Sequence, residues 1–132
     1  MDKMIDAALG VMPRATILGA QRLEVLAGNM ANSDTPGFKA RDIDFRAVLG
    51  AEMNGGQGST SLRTTHARHL PIETAGAEGV RYRTPNHPSL DGNTVDGQLE
   101  QAAFGEAAVR YQASLDFLGG RIEGLRKALR GE

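Results

Sequence analysis

The sequence predicts a mostly α fold, with long N- and C-terminal helices pairing as a coiled coil and an irregular middle segment that contains a short strand or hairpin. Three observations predict it. An apolar stripe of helical period runs from Met12 to Met30, a heptad repeat runs from Phe104 to Leu129, and turn formers with little periodicity fill the interval. The 132 residues fit a single domain, 1–132, divided into an N-terminal helix and its closing turn (1–37), the middle (38–96) and the C-terminal helix (97–132).

The first helix is expected from Pro13 to about Asn32. Pro13 is tolerated at the first helical position because its missing N–H would be unpaired there anyway. Met12, Thr16, Gly19, Leu23, Leu26 and Met30 follow alternating four- and three-residue steps, and Ile17, Leu18, Val25 and Ala27 widen the stripe. One partner helix would not cover so broad an apolar surface. The stretch NMANSDTPGFKARDIDF then closes the helix. Asn29 and Asn32 lie three apart near its end, where Asn tolerates left-handed geometry and can bond unpaired carbonyls. Thr35-Pro36-Gly37-Phe38 has Pro at the second position and Gly at the third, as a type II turn requires, and so fixes where Phe38 points. The charges from Lys39 to Asp44 follow the turn.

In the middle, Asp44 to Met53 reads as a short helix capped by Asp44, residues 53–61 (MNGGQGSTS) as a flexible loop, and Gly79 to Thr84 as one short alternating strand. TPNHPSLDGNT supplies an extended segment and then a turn at Asp91-Gly92-Asn93.

The C-terminal helix, from about Gly97 to Arg130, carries the most regular pattern. Phe104, Ala108, Tyr111, Leu115, Leu118, Ile122, Leu125 and Leu129 are spaced 4-3-4-3-4-3-4, an a/d seam. Glu106 with Arg110 and Glu123 with Lys127 are i,i+4 pairs in the favourable order. Against this, Gly105, Gly119, Gly120 and Gly124 each cost about 1 kcal/mol relative to Ala. The helix therefore requires packing for its stability, and spacing alone leaves an intramolecular pair and an intermolecular assembly equally open.

Composition removes several classes of function. Lys and Arg total 15 against 16 Asp and Glu, a net charge of −1 that offers nucleic acid no basic surface. With no cysteine there is no disulfide framework, thiolate metal site or Cys nucleophile. No cleaved signal peptide is read at the N-terminus, and no stretch approaches the ~18 apolar residues of a membrane span. With 17 Gly, no Trp, two Tyr and four Phe, the chain has limited means of filling a private core.

Nor is an enzyme indicated. His66 and His69 have i,i+3 spacing, but no Glu follows in a zinc-protease arrangement, and turn histidines are the plainer reading. No G-x-S-x-G or phosphate loop is present, and Asp42 and Asp44, flanked by Arg41 and Arg46, read as solvated ion pairs. No cofactor, metal or small-molecule substrate is expected.

The motif Asn29-Met30-Ala31-Asn32-Ser33-Asp34-Thr35-Pro36-Gly37-Phe38 resembles the Asn-x-x-Asn-x-x-Thr-Pro-Gly-aromatic signature of the axial proteins of the bacterial flagellum, the rod and hook family. KARDIDF, LRTTHARHL, RYRTPNHPSLDGNTVD and RYQASLDFLGGRIEGLRKAL continue the resemblance toward the family's smallest, proximal-rod members, with Asp91-Gly92-Asn93 on the turn before the last helix. The resemblance implies a structural subunit stacked helically around a channel through its terminal helices, transmitting torque, with the charges from Lys39 to Asp44 facing neighbouring subunits. It implies export, unfolded, by the flagellar type III apparatus without a cleaved signal peptide. The partners implied are copies of itself, other rod proteins, the basal-body adaptor protein, the membrane ring and the export apparatus, in the periplasmic part of the basal body. Gly119-Gly120 and Phe38 in place of the commoner Tyr depart from the pattern. An autonomous coiled-coil adaptor or chaperone is the rival of another class; the heptads suit it, but it has no use for the Thr-Pro-Gly-Phe turn.

Overall fold

A computed structural model describes residues 7–53, 79–87 and 89–131. The chain is mostly helical: α1 (Met12–Ala31), β1 (Arg41–Ile43), α2 (Phe45–Met53), β2 (Val80–Tyr82) and α3 (Gly97–Arg130). Of the flexible loop expected at 53–61, Met53 belongs instead to α2, and the rest of it, with His66 and His69, lies outside the described residues.

Both long helices form where their periodicity places them. Pro13 sits in the first turn of α1, and α3 opens on Asp96, whose carboxylate accepts the Gln98 and Leu99 N–H groups, and closes on Gly131 at φ 75°. The two helices run antiparallel. Asn29 meets Glu100, a Cβ on Gly19 would lie 3.4 Å from Tyr111 Cδ2, and Ala8 O accepts from Arg121 Nε at 3.1 Å, so steps back along the N-terminal half match steps forward along α3. At Gly19 the absent side chain is what lets α3 approach.

The strand expected at 79–84 is β2, and its partner is β1, antiparallel in the register Arg41↔Tyr82, Asp42↔Arg81, Ile43↔Val80. It is no hairpin, since α2 intervenes. Asp44 caps α2 through Ala47 N–H, as expected, and Asp44 N–H donates to Gly79 O. Gly79 has φ +80°, and a Cβ there would fall 2.2 Å from Val48 Cγ2, so only glycine lets β2 begin against α2.

Among the described residues the buried apolar side chains are Leu18 and Leu26 from α1, Ala40 and Ile43 around β1, and Ala107 from α3. Full burial of each leucine contributes about 1.5–3 kcal/mol. Of the predicted seam, Phe104, Ala108, Tyr111, Leu118 and Leu125 are half-buried, while Leu115, Ile122 and Leu129 are exposed. On α1, Ile17, Ala20, Ala27 and Ala31 are exposed. The helices pack on each other, but each retains apolar surface that the other does not cover.

Candidate functional site

The most specified part of the molecule is the end where α1 stops and α3 starts, and its interior is polar. Asn29 and Glu100 are each 1% exposed. Asn29 was expected to bond the last carbonyls of α1; instead its amide is aimed across at β1 and α3. Its Nδ2 donates to Arg41 O at 2.6 Å and to Glu100 Oε2 at 3.1 Å, and its Oδ1 accepts Arg41 N–H at 3.0 Å. The side chain thus satisfies both backbone groups of Arg41 on the side of β1 facing away from β2. Of the two asparagines only Asn32 bonds a carbonyl of the last turn, its Nδ2 donating to Gly28 O at 2.8 Å.

Two carboxylates and two guanidinium groups extend this cluster. Arg83 donates to Glu100 Oε1 at 2.5 Å and to Asp42 Oδ2 at 3.0 Å, and Arg22 donates to Asp42 through Nε at 2.9 Å and Nη2 at 3.1 Å. The ion pairs expected of Asp42 with its sequence neighbours Arg41 and Arg46 are therefore replaced by partners on α1 and just after β2. Burial works to raise the Asp42 carboxyl's pKa, but hydrogen bonds from Arg22, Ile43 N–H and Arg83 prevail and hold it below its ordinary value. The hydrogen bond to Asp42, opposed by burial, raises Arg22 in turn. These charges are turned inward. The expectation that Lys39 to Asp44 face neighbouring subunits is thus corrected for Asp42, while Lys39, whose Nζ donates to Gly92 O at 2.6 Å, stays exposed.

Outside this cluster, two turns clip together. Thr35-Pro36-Gly37-Phe38 closes through Phe38 N–H to Thr35 O at 3.2 Å with Gly37 at φ 74°, the turn its composition requires. Asp91-Gly92-Asn93 lies directly against it: Gly37 N–H donates to Asp91 O at 2.9 Å, Thr94 N–H to Phe38 O at 3.0 Å, and Ala40 N–H to Thr94 Oγ1 at 2.8 Å. Asn93, 6% exposed, donates through Nδ2 to Asn32 O, Ser33 O and Thr35 O at 3.1, 2.7 and 3.0 Å. It gathers carbonyls that leave α1 without helical partners. Asp91 bonds Ser89 Oγ and Asn93 N–H, and these hold its carboxyl below the ordinary value. Phe38 is half-buried beneath the clip; Thr35, Pro36 and Gly37 are exposed.

The motif residues Asn29, Asn32, Thr35 to Phe38 and Asp91 to Asn93 are thus brought to one end, while the seam from Phe104 to Leu129 runs away from it; Ala31 is exposed on α1. Sequence reasoning missed Arg22, Arg83 and Glu100. The pattern did not single out Glu100, because the 4-3 alternation places the seam position before Phe104 at Gln101, its neighbour.

Among the described residues there is no group of three metal-binding side chains, and no helix is long and apolar enough to cross a membrane. A shallow groove of about 300 Å³ beside the clip is lined by polar groups, including Ser33, His87, Asp91 and Asp96. Two helices joined at one end by an Asn-x-x-Asn-x-x-Thr-Pro-Gly-Phe turn, with apolar faces left uncovered, define an axial structural protein.

Comparison with known proteins carries this further. Residues 14–39, which are α1 and the Thr-Pro-Gly-Phe turn, match the family described as flagella basal body rod protein. Over 134 residues the chain is 46% identical to the flagellar basal body rod protein FlgB of Escherichia coli K12, covering 98% of this chain and 96% of that protein. It is 44% identical over 134 residues to that of Yersinia enterocolitica, covering 98% and 97%. It is 48% identical over 125 residues to that of Cereibacter sphaeroides, covering 94% of each. The chain belongs to the FlgB family of flagellar basal body rod proteins, and its role is that of a structural rod subunit, not an enzyme.

Proposed function

We propose that the chain builds the proximal rod, assembling helically through α1 and α3 so that these helices form a coiled-coil layer that lines the export channel and transmits torque. The observation that carries this reading is the half-used seam. Leu115, Ile122 and Leu129 stay exposed although they continue the line of Phe104, Tyr111 and Leu118, which is expected of a helix whose heptads are completed by neighbouring subunits. The whole chain acts as one unit, 1–132, with the clipped turns as its rigid end. Asn29, Asn32, Thr35, Pro36, Gly37, Phe38, Asp91, Gly92 and Asn93 set the geometry of that end, and Ala31 beside them is open to a neighbour.

In this reading the subunit crosses the inner membrane unfolded through the flagellar type III export apparatus, without a cleaved signal peptide, and works in the periplasmic part of the basal body. The few buried apolar side chains among the described residues favour such passage. Its partners are copies of itself, the other rod proteins, the basal-body adaptor protein and the membrane ring. A deletion strain is expected to lose its filaments and keep the membrane ring; a strain that retains filaments overturns the reading. Leu118→Asp, which places a charge in the seam, is expected to abolish incorporation into rods, and normal motility of that variant would refute the helix-layer assignment.

A further inference from the structure

The two edges of the small sheet are treated differently. In an antiparallel pair, successive residues alternately turn their N–H and C=O toward the partner strand and away from it. Arg83 N–H donates to Ala40 O at 2.9 Å and Asp44 N–H to Gly79 O at 3.1 Å, which fixes the phase of that alternation. With Arg41 opposite Tyr82 and Ile43 opposite Val80, the outward groups are those of Arg41 and Ile43 on β1 and of Val80 and Tyr82 on β2. On β1 side chains cap them: Asn29 takes both backbone groups of Arg41, and Asp42 Oδ1 accepts Ile43 N–H at 2.7 Å. On β2 no described residue bonds the outward N–H or C=O of Val80 or Tyr82.

This edge is rigid and locally basic. The ladder holds its inner side, Arg83 ties its end to Asp42 and Glu100, and Pro85 keeps Thr84 extended beyond it. Tyr82, 75% exposed, stands opposite the exposed Arg41 on one face of the sheet. On the other face the Arg81 side chain is 71% exposed and meets Asp44 at 3.7 Å. Asp42 is held by Arg22 and Arg83, so it does not offset Arg41. Each face of the edge thus presents a guanidinium, in a chain whose net charge is −1.

We infer that β2 is a docking edge for an extended, acidic segment of another protein, which adds a third strand along Val80 to Tyr82. A strand offers a donor and an acceptor at every second residue, as the outward groups of Val80 and Tyr82 require. A lipid headgroup or a nucleic-acid phosphate offers acceptors alone and leaves the two carbonyls unmet. Successive side chains of the added strand fall on opposite faces, so neighbouring carboxylates reach Arg41 on one and Arg81 on the other. The inference rests on the rod reading and adds to it a contact that the long helices do not make.

Proline separates the outer edge from the inner ladder. Tyr82→Pro deletes an N–H that faces away from β1, where an edge strand accepts proline, whereas Tyr82→Thr keeps that N–H and removes the ring. In strains carrying each variant in place of the parent, Tyr82→Pro is expected to abolish motility and Tyr82→Thr to swim. The purified proline variant is expected to keep the parent's circular dichroism and melting temperature. Equal swimming of the two strains overturns the edge contact. The partner is read independently, whatever the proline variant's stability, by placing the photo-cross-linker p-benzoylphenylalanine at position 82 in intact basal bodies. A covalent product with another protein is expected, mapped by mass spectrometry to an acidic segment and lost when Arg41→Glu and Arg81→Glu are added. No product, a product within the same chain or one with a second copy overturns the inference, and if a deletion strain still lacks filaments the rod reading stands without it. A deletion strain that keeps its filaments removes the reading itself, and the inference with it.

Discussion

Asn29 and Glu100, 71 positions apart in the chain, meet through a 3.1 Å hydrogen bond at the level where α1, β1 and α3 converge. The contact is between side chains that are both 1% exposed, and neither is apolar. Paired polar groups in so small a core contribute less to net stability than apolar packing of equal volume, because both must be stripped of water. What they add is discrimination. Sliding α1 along α3 by one turn would leave Glu100 without Asn29 and Arg41 without its amide partner, so the cluster sets the register of the two long helices.

Asn29→Ala is therefore expected to cost about 2–4 kcal/mol, since it strands Arg41 N–H and C=O and one oxygen of Glu100 together. Asn29→Asp should be worse, despite its smaller change in shape, because it removes the donor and sets a second carboxylate against Glu100. Urea denaturation followed by circular dichroism ranks the two; an aspartate variant as stable as the parent would show that the site is hydrated.

The pH dependence follows from Asp42. Its carboxyl has a folded-state pKa below its ordinary 3.8, so its contribution is fully present above that value and is lost as pH falls through the lower, folded one. Arg22 is raised above its ordinary value, so its contribution is present at every pH below that value. Thermal unfolding is expected to show no change from this pair between pH 7 and 5, and a decline below about pH 4. Asp42→Asn should cost about 2–3 kcal/mol at pH 7 and flatten the part of the acid decline that this group causes. An unaltered acid limb in that variant would remove Asp42 from the account.

How much of this could be read from the residues depends on the range of each interaction. The helices were legible because Met12 to Met30 and Phe104 to Leu129 repeat locally, and the turn at Gly37 because only a few residue types fit it. Strand β1 was not, since Arg41-Asp42-Ile43 is three residues long and has no alternation to detect. Asp42 looked like a solvated pair with Arg41 and Arg46 because chain neighbours are all a sequence offers, whereas its partners Arg22 and Arg83 are 20 and 41 positions away. Thr-Pro-Gly-Phe and Asp-Gly-Asn were both marked as turns, but nothing local says that they close on each other.

That closure gives a third prediction. Gly37 and Gly92 have φ of 74° and 76°, and a Cβ on Gly92 would lie 3.8 Å from Gly37 Cα. Gly37→Ala should cost about 1–2 kcal/mol through the left-handed penalty alone, and Asn93→Ala at least as much by releasing three carbonyls. In cells, Pro36→Ala with Gly37→Val should reduce motility more than a pair of changes at Gly55 and Gly56; equal motility in the two strains would show that the turn's shape is unimportant.

The glycines of α3 separate monomer stability from assembly. Gly19 on α1 has an evident reason, since Tyr111 lies 3.4 Å from where its Cβ would be, and Gly19→Leu should push the helices apart at a cost of about 1–3 kcal/mol. Among the described residues Gly120 and Gly124 have none: a Cβ at either would meet nothing within 4 Å of them. They lie four apart, one turn along from Phe117, which is 66% exposed. If the isolated chain were all that mattered, alanine would be the better residue at both, by about 1 kcal/mol each. Gly120→Ala with Gly124→Ala is therefore expected to raise the purified subunit's resistance to urea by up to about 2 kcal/mol. The same variant should lower motility, because a neighbouring helix would be held off by two methyl groups. Stability and function moving in opposite directions is the signature of glycines kept for close packing between subunits. A stabilised variant that swims normally would assign them no part in the rod.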